Sequence, residues 1–196
     1  ADTARPHDPP LRTDGLRQAE AVATMLAAQR VTRIVSSPLL RARQTAEPLA
    51  ARLGLPIGTI DGWAEADRHL ARYSSTETLR ARGDAEWARF LDDPIRYLGG
   101  DPVRFRADVL GAFEATLAGP DDDHVAVFTH GLPINLVLST LLGLERIIHF
   151  PPDYGSLTRL RARGGRAGIV SVNETGHHSP HHLPNPAMQR LPEATT

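Results

Sequence analysis

The chain has 196 residues, enough for one domain with a complete core, and its 23 acidic and 22 basic residues leave a formal charge of −1. This balance gives no indication of a nucleic-acid partner. No apolar run is long enough to cross a bilayer or typical of a secretion signal, so we expect a cytoplasmic protein without a membrane partner. Cysteine is absent, which excludes disulfides and thiolate catalysis.

Hydrophobic periodicity predicts alternating helices and strands in the first part of the chain. After a proline- and charge-rich loop, the predicted elements are a helix over residues 16–30, a strand over 31–37, a helix over 41–53 and a strand over 55–61. Thr13 or Asp14 is expected to cap the first helix. Gly54, followed by Pro56, is a typical end signal for the second.

The segment from Gly62 to Gly100 is polar with scattered aromatic residues, which predicts helical pieces lying over a sheet. The elements that follow are a helix over 105–117, a strand over 125–128, a helix from Gly131 onward, and a hairpin over 156–173 around Gly164 and Gly165. The alternation predicts a single α/β domain, a three-layer α/β/α sandwich with a mostly parallel central sheet. The histidine- and proline-rich tail, residues 179–196, is expected to be disordered.

The strand over 125–128 leads through Thr-His-Gly into a helix. His130 therefore lies at the carboxyl end of a strand, where ligands bind in open α/β sheets. The following helix, with Pro133 in its first turn, directs the unpaired N–H groups around Gly131 and a positive dipole to the same place. An anion site is one interpretation. The alternative is a polar residue that closes a strand beside a turn glycine.

The sequence SSPLLRARQTA, which starts at Ser36, forms a second junction of this kind. Arg41 and Arg43 lie near the start of its helix, and the guanidinium of Arg41 offers two parallel donors to phosphate oxygens. Ser36 or Ser37 is expected to cap the turn or to donate to the same oxygens. The alternative is a Ser-Pro helix start with exposed arginines, which two such junctions in one sheet disfavour.

Four sequence blocks occur in a fixed order: DPPLRTDGLRQAE, IVSSPLLRARQTAEPLAARLGLP, VAVFTHGLPINLVLSTLLGL and SLTRLRARGGRAGIVSVNETGHH. Together they resemble the histidine phosphatase superfamily, also called the phosphoglycerate mutase-like family. The resemblance extends from Asp8 to about His178 and is weakest between Gly62 and Arg104. It implies a phosphoglycerate mutase-like fold.

This resemblance implies phosphoryl transfer without a metal or another cofactor. In the family, a histidine of an Arg-His-Gly motif attacks phosphorus, an acidic residue protonates the leaving oxygen, and arginines with a second histidine hold the phosphoryl oxygens. By position, Arg41 resembles the phosphate-binding arginine and His130 the second histidine, with Gly131 as a further phosphate contact. Leu132 stands in the place of a frequent glycine, and we expect this change to be tolerated.

The resemblance points to Glu65, in IDGWAEADRH, as the general acid. Asp67 is a weaker candidate. The glycine and tryptophan that usually follow the family's glutamate are absent here, so Glu77 is a further alternative. Glu65 also has a simpler interpretation as an exposed carboxylate without a role.

An Arg-His-Gly motif is absent from the sequence, so the nucleophile that the resemblance implies is missing. His7 is the nearest histidine, but it lies between prolines, with no strand before it and no glycine after it. We therefore expect the domain to be N-terminally incomplete, with an apolar strand and the Arg-His-Gly motif upstream of Ala1.

The leading hypothesis is a phosphatase that hydrolyses a small phosphomonoester through a phosphohistidine. A mutase is a related alternative, although the chain lacks the long insertion associated with glycolytic mutases. A pseudoenzyme that binds a phosphate ligand is an alternative of a different class. The segment from Gly62 to Gly100 is expected to set the substrate.

Two further expectations concern partners. A homodimer is possible, although nothing in the sequence determines the oligomeric state. The tail contains two histidine pairs, which we expect to be incidental rather than a metal site; they are His177, His178, His181 and His182. For His177 a packing role is expected.

Overall fold

The structure is a computed structural model that describes residues 7–71 and 73–178. The α-helices are α1 (Thr13–Ala27), α2 (Leu40–Leu53), α3 (Thr76–Arg80), α4 (Asp84–Asp92), α5 (Pro94–Tyr97), α6 (Pro102–Leu117) and α7 (Gly131–Leu142). The strands are β1 (Arg33–Ser36), β2 (Ile57–Thr59), β3 (Val125–Phe128), β4 (Leu157–Arg163) and β5 (Arg166–Glu174). Two 3₁₀ helices, Asp61–Trp63 and Ala66–His69, lie between β2 and α3.

The central sheet is parallel, with the strand order β2-β1-β3. Ser36, the last residue of β1, lies beside Thr59 of β2 and Phe128 of β3. β4 and β5 form a separate antiparallel hairpin, and both residues of its turn, Gly164 and Gly165, have positive φ. Glycine adopts such φ angles without steric cost, so this turn is the one predicted for the hairpin.

Helices cover both faces of the sheet. Ile34 of β1 packs on one face with Leu49 of α2 and with residues of α1. The next residue, Val35, packs on the opposite face with Val109 of α6 and Leu136 of α7. Successive strand residues point to opposite faces, so β1 joins two helical layers through a single sheet. This arrangement confirms the predicted three-layer α/β/α fold.

The segment from Asp61 to Gly100 consists of short helical pieces, as predicted, and we call it the cap. It has its own apolar cluster, in which Trp87 and Ile95 pack near Leu132 of α7. The cap also lies directly against α6: a Cβ added at Gly62 would be 2.1 Å from the carbonyl oxygen of Asp108. The cap is therefore seated on both helices of one layer.

A groove separates β3 from the hairpin. Within the described residues, β3 pairs only with β1 and β4 only with β5, so one edge of each strand has no strand partner. Leu157 packs with the cluster on the α1/α2 face and Leu160 with the cluster on the α6/α7 face, so β4 continues the layer of the sheet beyond β3. A cavity of about 2410 Å³ runs along both strands and extends to His130.

Two predicted helix starts are wrong. α1 begins at Thr13, and its N-cap is Arg12, whose side chain makes no capping hydrogen bond, so neither Thr13 nor Asp14 is the cap. α6 begins at Pro102 because the Asp101 side chain accepts hydrogen bonds from two backbone N–H groups of the first turn. The end signal at Gly54 is confirmed, since this residue caps α2 in the left-handed conformation.

The helices in the described part of the chain are all too short or too polar to span a bilayer. The tail that we expected to be disordered, residues 179–196, lies outside the described residues, and so do His181 and His182.

Candidate active site

The two predicted strand-to-helix junctions lie side by side at the carboxyl edge of the parallel sheet. The N–H of Ser37 donates to the carbonyl oxygen of Phe128 at 2.8 Å, which extends the pairing of β1 with β3 past the end of β1. The side chains that follow the two strands meet as a result: Ser37 Oγ lies 2.7 Å from His130 Nε2. Strand register, rather than sequence proximity, brings these two residues together.

His130 is the N-cap residue of α7 and is held by a buried hydroxyl. Ser37 is 0% exposed, and its Oγ also accepts the N–H of Leu39 at 3.2 Å, which fixes the oxygen beside the imidazole. Burial, and then the positive charge of Arg41, lower the pKa of His130 well below 6.5. The imidazole is therefore neutral near pH 7, and a dianion bound beside it would raise its pKa.

Arg41 lies in the first turn of α2, and its guanidinium is held on three sides. Nη2 donates to Asp67 Oδ1 at 3.0 Å, Nη1 lies 3.7 Å from Asp8 Oδ1, and the Tyr73 ring stacks 4.7 Å from Cζ. Nη1 is buried and has no hydrogen-bond partner among the described residues. A buried N–H without an acceptor is costly, so this donor is suited to an anionic ligand.

Asp8 is a site residue that the sequence analysis did not predict. Its two carboxylate oxygens accept the backbone N–H of Leu40 at 2.9 and 3.0 Å, so it caps α2 from 32 positions away in the chain. A carboxylate at a helix N-terminus is favourable because the helix dipole is positive there. Asp8 thus holds the helix end that presents Arg41.

Glu65 reaches the same place from the cap. Thr129, beside His130, donates its hydroxyl to the Trp63 carbonyl oxygen at 2.7 Å and so holds the cap at the end of β3. Glu65 Oε1 accepts the N–H of Ala66 at 2.9 Å, and Oε2 accepts the N–H of Leu132 in the first turn of α7 at 3.2 Å. The acid predicted from the sequence therefore lies at the helix start next to His130.

The environment of Glu65 favours its protonated form. Burial is the largest cause and the negative charge of Asp67 the second, and together they raise the pKa of Glu65 from 4.5 to about 7. The two backbone hydrogen bonds and the charge of Arg41 oppose this rise. The carboxyl group of Glu65 therefore changes its protonation state near neutral pH.

The two alternative acids lie in different surroundings. Asp67 is 4% exposed and is bound to Arg41; burial raises its pKa, while the charge of Arg41 lowers it. Glu77, at the start of α3, accepts a hydrogen bond from the Tyr154 hydroxyl at 3.0 Å. Of the three carboxylates, Glu65 is the one hydrogen-bonded to the first turn of α7.

Several predicted contacts are absent from the described site. Arg43 is exposed on α2, because residues two apart on a helix do not share a face. Of the two alternatives Ser36 and Ser37, the Ser36 hydroxyl donates to the Ser37 carbonyl oxygen, and it is the Ser37 hydroxyl that lies at His130. His7, which was not expected to replace the nucleophile, is exposed. At the start of α7, the Leu132 N–H is occupied by Glu65, which leaves Gly131 as the nearest N–H for an anion.

Asn135 of α7 is a second residue that the sequence analysis missed. It is 2% exposed, and its side-chain amide makes four hydrogen bonds: to the carbonyl oxygens of Gly131 and Phe150, and from the N–H groups of His149 and Phe150. It therefore fixes the segment after α7 against the start of that helix. A lone amide in the apolar helix GLPINLVLSTLL was the available signal.

Two residues named in the sequence analysis, His177 and Leu132, have clear positions in the structure. His177 bonds the Gly155 carbonyl oxygen through Nε2 at 2.8 Å, which is the packing role expected for it. Leu132 is buried in the apolar cluster of the cap. In the part of the chain that the structure describes, no group of three or more histidines and carboxylates has the arrangement of a metal site.

Comparison with known families gives an independent line of evidence. The family model for the histidine phosphatase superfamily (branch 1) matches residues 3–175. A protein named probable phosphoglycerate mutase GpmB from Proteus mirabilis is 31% identical over 141 residues, which cover 70% of this chain and 65% of that protein. A protein of the same name from Yersinia enterocolitica is 30% identical over 162 residues, or 79% of this chain and 70% of that protein. The chain thus spans less than two thirds of the Proteus relative.

Solved structures show the same fold. Phosphoserine phosphatase from Entamoeba histolytica, in complex with 3-phosphoglyceric acid, has a TM-score of 0.69 and 23% identity, covering 87% of each chain. The mycobacterial glucosyl-3-phosphoglycerate phosphatase has a TM-score of 0.70 and 23% identity, covering 86% of this chain and 88% of that one. At such identities the similarity establishes the architecture and leaves the substrate open.

Proposed function

Because this chain belongs to the histidine phosphatase superfamily, we propose that it is a metal-independent phosphatase that hydrolyses a small phosphomonoester through a phosphohistidine intermediate. One observation carries this proposal: Arg41 presents a buried Nη1 without a hydrogen-bond partner among the described residues, beside His130 and Glu65. Neutralising donors of this kind stabilise the charge that spreads over phosphoryl oxygens during transfer.

Arg41 and His130 form the phosphate-binding part of the site. Arg41 offers Nη1, and its charge lowers the pKa of His130, so both side chains act on the same small volume. A phosphoryl dianion raises the pKa of the imidazole and so favours a second cationic donor. The Gly131 N–H, at the positive end of α7, is a third donor.

Glu65 is the general acid in this proposal. In the first step a histidine nitrogen forms a bond to phosphorus as the ester P–O bond breaks, and Glu65 gives its proton to the leaving oxygen. In the second step water attacks phosphorus, the N–P bond breaks, and Glu65 takes the proton of the water. A carboxyl group with a pKa of about 7 performs both transfers near neutral pH.

The groove between β3 and β4 supports a position for the nucleophilic histidine. Both flanking strands have edge N–H and C=O groups without a strand partner in the described chain, and apolar residues of both helical layers line the cavity. A strand placed there would end beside His130. We therefore propose that the nucleophilic histidine of the family's Arg-His-Gly motif lies on a strand in this groove.

The test is hydrolysis of an aryl phosphate in the presence of a metal chelator, by the product of the complete reading frame and by residues 1–196 alone. We expect activity only in the complete protein and a loss of about 1000-fold in Arg41→Ala and His130→Ala. Arg43→Ala, an exposed arginine on the same helix, is the matched control and should retain activity.

A different result would indicate a different function. If the complete protein is inactive while inorganic phosphate still raises its Tm, and Arg41→Ala abolishes that rise, the protein binds anions without catalysis. Activity that requires a divalent metal would contradict the phosphohistidine mechanism.

A further inference from the structure

Two tyrosines and a glutamate line the cavity next to Arg41. Tyr73, from the cap, stacks on the Arg41 guanidinium at 4.7 Å, and Tyr154, from the loop between α7 and β4, donates its hydroxyl to Glu77 Oε2 at 3.0 Å. Tyr154 is 44% exposed, and the geometry of this hydrogen bond makes its hydroxyl the donor and the Glu77 carboxylate the acceptor. We call these three residues the cavity wall.

The cavity wall is preorganised. Asn173 accepts the N–H of Asp153 at 2.8 Å and donates to its carboxylate at 3.1 Å, and His177 bonds the Gly155 carbonyl oxygen at 2.8 Å. One neighbour of Tyr154 is thus bonded to β5 and the other to the segment that follows β5. A hydroxyl held in this way orients the Glu77 carboxylate before any ligand arrives.

Glu77 gives the cavity wall a carboxylate that is not paired with Arg41. Burial is the largest cause that raises the pKa of Tyr73; the charge of Arg41 lowers it, and nearby carboxylates, Glu77 among them, raise it further. Glu77 forms no ion pair within the described residues, and its Oε1 has no hydrogen-bond donor there. This side of the site therefore offers an acceptor and repels anions.

A phosphomonoester bound to Arg41 has its leaving group next to this wall. The geometry points to a substrate whose leaving group is uncharged and carries a hydroxyl, which donates to Glu77 Oε1 while the tyrosine rings contact its carbon atoms. A carboxylate on the leaving group is repelled by the charge of Glu77, whose Oε1 has no hydrogen-bond donor among the described residues. This inference rests on the proposed function and specifies its substrate class.

Two substrates that differ in one group test the inference. Glycerol 3-phosphate and 3-phosphoglycerate share the phosphate ester and differ in a hydroxymethyl group against a carboxylate. With the product of the complete reading frame, we expect kcat/KM to be about tenfold higher for glycerol 3-phosphate, the effect of one repelled charge. Glu77→Gln keeps an acceptor for Tyr154 and should bring the ratio close to one.

Two further variants test whether the cavity wall itself, rather than any change of charge on the protein, determines the ratio of the two kcat/KM values. Tyr154→Phe leaves Glu77 charged but without its fixed orientation, so the ratio should fall about threefold. Glu47→Gln, an exposed glutamate on α2, is the matched control and should leave the ratio unchanged. A wild-type ratio of one or below, or a ratio that Glu77→Gln does not alter, would overturn the inference.

The failure of the proposed function is distinguishable from the failure of this inference. If an aryl phosphate is not hydrolysed either, the proposed function fails. Binding then tests the inference directly: at equal concentration, glycerol 3-phosphate should raise the Tm of the protein more than 3-phosphoglycerate does. The opposite order in wild type, or an order that is the same in Glu77→Gln, would overturn it.

Discussion

The carboxyl end of the parallel sheet and the cap contribute residues to the same site in different ways. His130 and Ser37 follow paired parallel strands, so the register of β1 and β3 determines their separation. Glu65 belongs to a segment of short helices and reaches the site through single hydrogen bonds, from Thr129 to Trp63 and from Leu132 to Glu65 itself. Backbone pairing in the sheet thus positions His130 and Ser37, whereas a few tertiary hydrogen bonds position Glu65.

Burial acts on the two regions with opposite results. It lowers the pKa of His130, at the sheet edge, and raises the pKa of Glu65, in the cap, because in each case it favours the uncharged form. Near pH 7 a neutral imidazole therefore lies beside a carboxyl group that is about half protonated. One physical cause thus shifts the pKa values of His130 and Glu65 in opposite directions.

The largest expected effect is on the seating of the cap, in Gly62→Ala. The added Cβ would lie 2.1 Å from the Asp108 carbonyl oxygen and 2.8 Å from Ala112 Cβ, so the cap must shift away from α6. We expect the free energy of unfolding to fall by about 3 kcal/mol, as measured by urea denaturation. The control is Gly131→Ala, where the nearest atom is Pro152 Cγ at 3.7 Å, an ordinary contact. Equal losses in both variants would contradict the close seating of the cap.

A second effect concerns the charge of the cap carboxylate. The pKa of Glu65 is raised from 4.5 to about 7, so the folded state binds this proton more tightly than the unfolded state. The stabilisation is complete below pH 4.5 and is lost as the pH rises through 7, a change of about 3 kcal/mol. Because the pKa of His130 is lowered, His130 adds stability as the pH rises toward 6.5 and offsets part of this loss in wild type. The loss is therefore measured as the difference between wild type and Glu65→Gln in urea denaturation at pH 5 and pH 8.5.

Glu65→Gln should remove that dependence on pH, because glutamine does not ionise. Glu114→Gln, an exposed glutamate on α6, should behave as wild type. An unchanged pH dependence in Glu65→Gln would show that another group titrates in this range.

The same contrast explains what the sequence could predict. The alternation of apolar runs predicted the three-layer fold, and short motifs after β1 and β3 predicted Arg41 and His130, because strand ends meet at one edge of a parallel sheet. The catalytic role of these residues and of Glu65 stays a prediction. Asp8 and Tyr73 were missed because they reach Arg41 through contacts distant in sequence, which leave no local pattern.

The wrong predictions have local causes. The first helix was expected to be capped by Thr13 or Asp14, but both residues lie inside α1, where the N-cap side chain makes no hydrogen bond. Arg43 was grouped with Arg41, although residues two apart on a helix point in different directions. In both cases the type of a residue near a helix start was taken to determine its structural role, whereas its position along the helix determines that role.

A smaller effect is expected at the connection between the sheet edge and α2. Asp8→Ala removes the two acceptors of the Leu40 N–H and one negative charge beside Arg41. We expect a loss of about 1 kcal/mol in the free energy of unfolding, the usual value of an N-cap. Asp8→Asn keeps a capping oxygen and should recover most of this stability. If Asn and Ala lose equally, the charge of Asp8, and not its capping geometry, stabilises the helix start.

The smallest expected effect is on phosphate binding, and it tests whether Tyr73 of the cap positions the guanidinium of Arg41. Tyr73 contacts Arg41 with the face of its ring, 4.7 Å from Cζ, so the ring holds the guanidinium plane without using any of its N–H groups. Tyr73→Leu removes this contact, and the Kd for inorganic phosphate should rise about threefold, as expected for a cation–π contact of 0.5–1 kcal/mol. Tyr73→Phe keeps the ring face and should bind phosphate as wild type does, as measured by calorimetry. If Phe and Leu weaken binding equally, the hydroxyl of Tyr73 matters and not its ring. If neither variant has an effect, Asp67 and Asp8 alone hold Arg41, and the cap contributes to phosphate binding only through the carboxylate of Asp67.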